Sequence, residues 1–99
     1  MNRSDEQLSE LFTALAHVNR VRIVEVLRTE ERCQCELPEQ LGIKQSNLSR
    51  HVKLLTSAGV LRVRRDGTRM ILSVADQRVV EILDTLREVQ PVLSVPAGT

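Results

Sequence analysis

The stretch from Glu36 to Val74 constrains this chain more than any other. It begins with Leu37-Pro-Glu-Gln-Leu-Gly42, in which Leu37 and Leu41 form an apolar i, i+4 pair and Gly42 suits a left-handed helix end. Ile43-Lys44 has room only for a turn. Gln45 to Ser57 then carries Leu48, Val52 and Leu55 on one face, with Gln45, Ser46, Ser49, Arg50 and Lys53 opposite. Ala58-Gly59 closes that helix. Two alternating runs follow, Val60–Arg64 and Arg69–Val74, with Asp66-Gly67 between them as the hairpin signal. Two helices joined by a tight turn and followed by a basic hairpin can set one helix in a DNA groove and a β-ribbon beside it.

Charge supports that reading through its distribution, since the net charge is only +1. Lys44 to Arg69 holds seven basic residues (Lys44, Arg50, Lys53, Arg62, Arg64, Arg65, Arg69) and one acid, Asp66. Five basic and eight acidic residues precede it, and two basic and four acidic residues follow. A basic block between acidic flanks is the electrostatic footprint of an anion-binding surface, with the flanks facing elsewhere.

The remainder reads as support. Ser4-Asp-Glu-Gln7 is a capping box that opens a helix from about Asp5 to Ala16, with Leu8, Leu11, Phe12 and Leu15 as its stripe. Asn19 is the expected cap of a second helix, Arg20 to Thr29, with Ile23, Val24 and Leu27 inward and Arg20, Arg22 and Arg28 outward. His17, at the junction, reads as a capping or core histidine. Asp76 caps a last helix to about Val89, and Val92 to Thr99 reads as a flexible tail. The 99 residues suit a single domain, ordered over 4–90. With one aromatic residue, Phe12, its core must be aliphatic and small, so association with a second copy is expected to add buried surface. No apolar run is long enough to span a membrane, no secretory segment opens the chain, and two cysteines do not make a disulfide framework, so a cytoplasmic location is expected. No acid/base pair, nucleophile triad or phosphate-binding glycine loop is present, so an enzyme is not expected.

The candidate DNA-contacting residues are Lys44, Gln45, Ser46, Asn47, Ser49, Arg50, His51 and Lys53 on the second helix, with Arg64, Arg65 and Arg69 in the hairpin. Gln and Asn pair with adenine and Arg with guanine, whereas Ser and Lys mostly hold phosphates. Gln45, Ser46 and Ser49 are expected nearest the bases, Lys44 and Lys53 on phosphate.

Cys33-Gln-Cys35 is the one place with reactive chemistry. The bland alternative is a pair of half-buried small apolar residues, but the context Glu-Arg-Cys-Gln-Cys-Glu is polar. Residues i and i+2 diverge in a regular helix and lie on opposite faces of a strand, so the thiols converge only where the backbone kinks. Pro38 provides that place, because its ring clashes with the carbonyl four residues back and keeps a regular helix from starting much before Glu36. Thiolates at a helix start suit soft ions, and the same pair suits a thiol-redox or persulfide switch.

Several of these stretches together resemble the ArsR/SmtB repressors. They are Phe12-Thr-Ala-Leu-Ala-His-Val-Asn-Arg-Val-Arg-Ile-Val-Glu-Val-Leu27, Cys33-Gln-Cys-Glu-Leu37, Gln45-Ser-Asn-Leu-Ser-Arg-His51 with Leu54-Leu55, and Gly59-Val-Leu61 leading into a basic hairpin. The resemblance covers roughly residues 8–90. It implies a mainly α fold with a two-stranded β wing, a winged helix–turn–helix, homodimeric through its first and last helices. It also implies a repressor of a palindromic operator that releases DNA when a metal or metalloid binds. In the ArsR branch a Cys-X-Cys at this position binds trivalent arsenic or antimony, and Cys33 and Cys35 match it; cadmium or zinc are further candidates. The branch's third cysteine would fall at Pro38, a departure that leaves two protein thiols. A winged-helix module that binds protein instead of DNA is the alternative from a different class.

Overall fold

In a computed structural model, residues 2–88 are described. Nine short elements follow one another: α1 (Asp5–Leu15), α2 (Val18–Val26), β1 (Arg32–Cys33), a 3-10 turn (Gln34–Glu36), α3 (Leu37–Leu41), α4 (Gln45–Ser57), β2 (Leu61–Asp66), β3 (Arg69–Val74) and α5 (Gln77–Glu88). The end of the last helix near Val89 and the tail expected beyond it lie outside the described residues.

Local chemistry sets most of the boundaries. The Ser4 hydroxyl accepts from the Gln7 amide at 3.1 Å and the Gln7 side chain accepts from the Ser4 amide at 2.9 Å, the reciprocal box that starts α1. The second helix starts earlier than expected. His17, not Asn19, is its cap, with Nδ1 accepting from the Asn19 amide at 3.0 Å. Asp76 accepts from the Arg78 amide at 3.0 Å and so opens α5. Arg78 and Arg3 hold the Asp76 carboxyl well below the usual carboxylate range, against the opposing effect of its partial burial.

The sheet corrects the expectation of a two-stranded wing. It has three antiparallel strands in the order β1-β3-β2. Arg32 pairs with Leu72 and Cys33 with Ile71, so the polar connection before α3 is stitched to the wing. A two-residue strand leaves no periodicity to detect in sequence. The hairpin turn also shifts by one residue. Asp66 pairs with Arg69, leaving Gly67-Thr68 as the loop. Gly67 has φ +67° and Thr68 does not have positive φ, the pattern of a type II′ turn with glycine first.

The core is aliphatic throughout. Ile23, Val24, Leu27, Leu37, Leu48, Leu55, Val60 and Leu72 are its largest fully buried side chains. They come from α2 and its C-cap Leu27, from α3 and α4, and from Val60 just before β2 and Leu72 in β3, so α4 is held by its inner face on a platform of helices and strands. Phe12, the one aromatic residue, is 54% exposed. Arg28 bridges Glu25 of α2 and Asp84 of α5, and Arg87 of α5 returns to Glu25 at 3.0 Å, tying the last helix across the second.

Candidate nucleic-acid interface and thiol pair

Helix α4 buries Leu48, His51, Val52 and Leu55 and leaves Gln45, Ser46, Asn47, Ser49, Arg50 and Lys53 exposed, with Lys44 exposed at its cap. No side chain caps its first turn, so amide donors at that end are available to an anion. The turn before it is closed by Gly42, at φ +67°, whose amide and that of Ile43 both satisfy the Pro38 carbonyl. Arg22 locks α3 from below by donating to the Leu41 carbonyl at 2.8 Å.

His51 corrects the candidate set. It is only 9% exposed and faces inward, away from the polar face of α4. Its Nδ1 lies 3.1 Å from Nη1 of Arg20, which also donates through Nε to the Ala14 carbonyl at 2.6 Å. The His17 ring stands 4.6 Å away, centroid to centroid. Three residues after Leu48 and one before Val52, position 51 falls on the buried stripe, and the polar name of the residue conceals this. Arg20, expected outward, is folded beneath α1 and α4 by the same contacts.

In the hairpin, Arg64, Arg65 and Arg69 are all exposed. Two of them already have acidic neighbours from the segment around the cysteines. Arg64 pairs with Glu31, whose carboxyl is held below its usual range by that hydrogen bond, and Arg69 approaches Glu36 at 3.6 Å.

Cys33 ends β1 in an extended conformation (φ −69°, ψ 136°) and the 3-10 turn starts at the next residue. This change from extended to tightly wound backbone swings the side chains of residues 33 and 35 to the same side. The two sulfurs are joined as a disulfide, with the Cα atoms 5.1 Å apart, and the Cys35 amide lies 3.2 Å from Sγ of Cys33. Cys33 is buried and Cys35 exposed. Pro38 stands in the first turn of α3, where the missing proline N–H costs nothing. An open cleft of about 560 Å³ brings Cys33, Cys35 and Pro38 together with Gln45 of α4 and with Thr68, Arg69 and Met70 of the wing. Among the described residues, no group of three or more His, Cys, Asp or Glu side chains is placed to hold a metal ion. A thiophilic atom bridging Cys33 and Cys35 would take its further ligand from solvent or a small thiol, in keeping with proline at position 38.

Sequence reasoning missed Gln34, the residue between the cysteines. Its Nε2 lies 3.3 Å from Oγ of Ser49 on the outer face of α4, and its Oε1 is buried without a partner. No pattern could have marked it; its place between two thiols was the one available hint.

Comparison with known proteins agrees with this geometry. Residues 17–63 match the family described as bacterial regulatory protein, arsR family. The chain is 42% identical over 82 residues to an uncharacterized HTH-type transcriptional regulator of Mycobacterium tuberculosis, Rv0081, spanning 82% of this chain and 72% of that one. It is 32% identical over 87 residues to a transcriptional repressor SmtB homolog of Synechocystis, covering 84% and 66% of the two chains. The crystal structure of Rv0081 superposes with a TM-score of 0.79 over 94% of this chain and 95% of that one, at 39% identity. A homodimeric winged helix–turn–helix DNA-binding domain of Mycobacterium bovis, Mb0332, superposes with a TM-score of 0.76 at 25% identity, over 88% and 86% of the chains. With the reading helix, the wing and these relatives in agreement, the chain belongs to the arsR family of bacterial regulatory proteins and is a winged helix–turn–helix transcriptional regulator.

Proposed function

We propose that this chain is an operator-binding repressor whose DNA affinity is switched by the Cys33–Cys35 pair, with trivalent arsenic or antimony as inducer. The observation that carries the reading is the convergence of the two sulfurs at the break before α3, in a cleft shared with α4 and the wing. The exposed face of α4 would supply Gln45, Ser46, Asn47 and Ser49 to base edges, and Lys44, Arg50, Lys53 and the wing residues Arg64, Arg65 and Arg69 to bases or phosphates. Bound at the pair, a trivalent metalloid would fix the spacing of the two sulfurs. The protein's part is to present two thiolates on a backbone that must deform to change that spacing. Apolar residues left exposed on α1 and α5, Leu8, Phe12, Ile82 and Leu86, support a homodimer through the first and last helices. Two copies would then face two half-sites of a palindromic operator.

A thiol-redox or persulfide switch at the same pair is the second reading, and the disulfide between Cys33 and Cys35 favours it. Fluorescence anisotropy on the DNA upstream of the chain's own coding region separates the two. Arsenite or antimonite is expected to weaken binding at least about tenfold, equivalent to about 1.4 kcal/mol of coupling, and a Cys33→Ser/Cys35→Ser variant is expected to stay bound. Release of that variant by arsenite sinks the thiol switch altogether. Release of the unaltered protein by a persulfide donor but not by arsenite moves the assignment to redox.

A further inference from the structure

The segment that carries the cysteines is fastened to both halves of the DNA-binding surface. Its backbone pairs with β3 of the wing through Cys33 and Ile71. Its acids, Glu31 and Glu36, reach Arg64 and Arg69 of the hairpin. These ion pairs are exposed and individually weak. One link goes instead to the recognition helix, from the Gln34 amide to the hydroxyl of Ser49 at 3.3 Å.

That link has the features of a contact that can be switched. Gln34 is the residue between the two cysteines, so a change in the separation of their sulfurs that the cysteine side chains do not absorb by rotating about χ1 turns its backbone. Its Oε1 is buried and unpartnered, so among the described residues Ser49 is the one hydrogen-bond partner its side chain has. The contact is therefore one bond deep and is not locked by a second. Ser49 lies on the exposed face of α4, and its oxygen accepts from Gln34, so the hydroxyl keeps its proton to donate but is tied beside Gln34 and less free to turn toward DNA.

We propose that Gln34 transmits the state of the Cys33–Cys35 pair to the recognition helix, holding Ser49 while the two sulfurs are held together and releasing it when they part. The proposal rests on the reading of the pair as the switch. It makes Gln34 a positioning residue, acting through Ser49, and sets the direction of the response: a bridged pair is the state with low DNA affinity. Two reagents bridge the pair by different chemistry. Arsenite forms two As–S bonds in place of two As–OH bonds, the thiol protons leaving with the hydroxides as two waters. Diamide takes two electrons and two protons from the two thiols and becomes the hydrazine as the S–S bond forms.

The test compares operator affinity of the full chain with the pair reduced and with it bridged by arsenite or by diamide, in the unaltered protein, Gln34→Ala and Gln34→Glu. Bridging is expected to lower affinity about tenfold in the unaltered protein. In Q34A the ratio between reduced and bridged affinities is expected to shrink at least threefold while bridging itself, followed by thiol titration, is complete. In Q34E, whose carboxylate accepts from the Ser49 hydroxyl, most of the ratio is expected to return. A Q34A ratio equal to that of the unaltered protein overturns the proposal, and so does a loss that Q34E does not restore. If neither reagent changes the affinity of the unaltered protein, the switch reading and the proposal fall together. If diamide acts, arsenite does not, and Q34A blunts the diamide response, the metalloid reading falls and Gln34 keeps its role.

Discussion

The imidazole of His51 receives a guanidinium hydrogen bond from Arg20 at 3.1 Å and stands 4.6 Å from the ring of His17. Burial first, and then the nearby charge of His17, Arg20 and Arg50, push its pKa below the ordinary histidine value of 6.5. The folded state thus refuses a proton that the unfolded chain accepts. Stability from this group is complete above pH 6.5 and falls as pH drops through 6.5 toward the folded-state value. Urea denaturation between pH 7.5 and pH 5 is expected to show decreasing stability on acidification, with a shallower slope in His51→Gln. Equal slopes in the two proteins would remove His51 as the cause. Because Arg20 also holds the Ala14 carbonyl at the end of α1, this residue-scale chemistry ties α1 to the recognition helix.

Helix α3 has five residues and no side-chain cap, so it cannot be stable on its own account. It persists because Leu37 and Leu41 are buried, Arg22 takes its last carbonyl, and Gly42 turns the chain at φ +67°. A Cβ at Gly42 would meet nothing within 4 Å, so the cost of Gly42→Ala is purely one of backbone conformation. That substitution is expected to destabilise the fold by about 1–2 kcal/mol, read by urea denaturation. It is also expected to weaken DNA binding, since the angle between α3 and α4 depends on this residue. A stability within about 0.5 kcal/mol of the original, the range of ordinary surface substitutions, would show that the turn relaxes into another conformation.

A chain this small, with a wholly aliphatic core, leaves much of its apolar surface uncovered. Leu8, Phe12, Ile82 and Leu86 are each more than two-fifths exposed, and Leu8, Phe12 and Ile82 line one cleft between α1 and α5. Clustered exposure of this kind marks an association surface. Phe12→Asp is expected to convert a dimer into a monomer in analytical ultracentrifugation. It is also expected to reduce affinity for a two-half-site duplex by at least tenfold while leaving the helical circular dichroism largely intact. A Phe12→Asp protein that sediments as a dimer would exclude the α1–α5 surface as the interface. The cluster of positive charge on α4 and the wing, set against acidic flanks, should also make DNA affinity fall steeply with salt.

The sequence alone determined the elements whose signals are local. The capping box at Ser4, the apolar stripe of α4, the glycine end of α3 and the alternating runs of the hairpin each depend on residues a few positions apart, and periodicity records such spacings. The aliphatic core followed from composition. It also carried the family pattern, and with it the reading helix and the wing. Contacts across the chain were decided by tertiary structure. A two-residue strand such as β1 exists only because β3 offers it a partner. His51 carries a polar name on a buried stripe because Arg20 and His17 supply what its ring needs. Gln34 meets Ser49 fifteen residues later because the backbone changes from extended to 3-10 between the two cysteines. Local propensity cannot encode such meetings, since hydrogen bonds between distant residues form only after the core has brought their elements together.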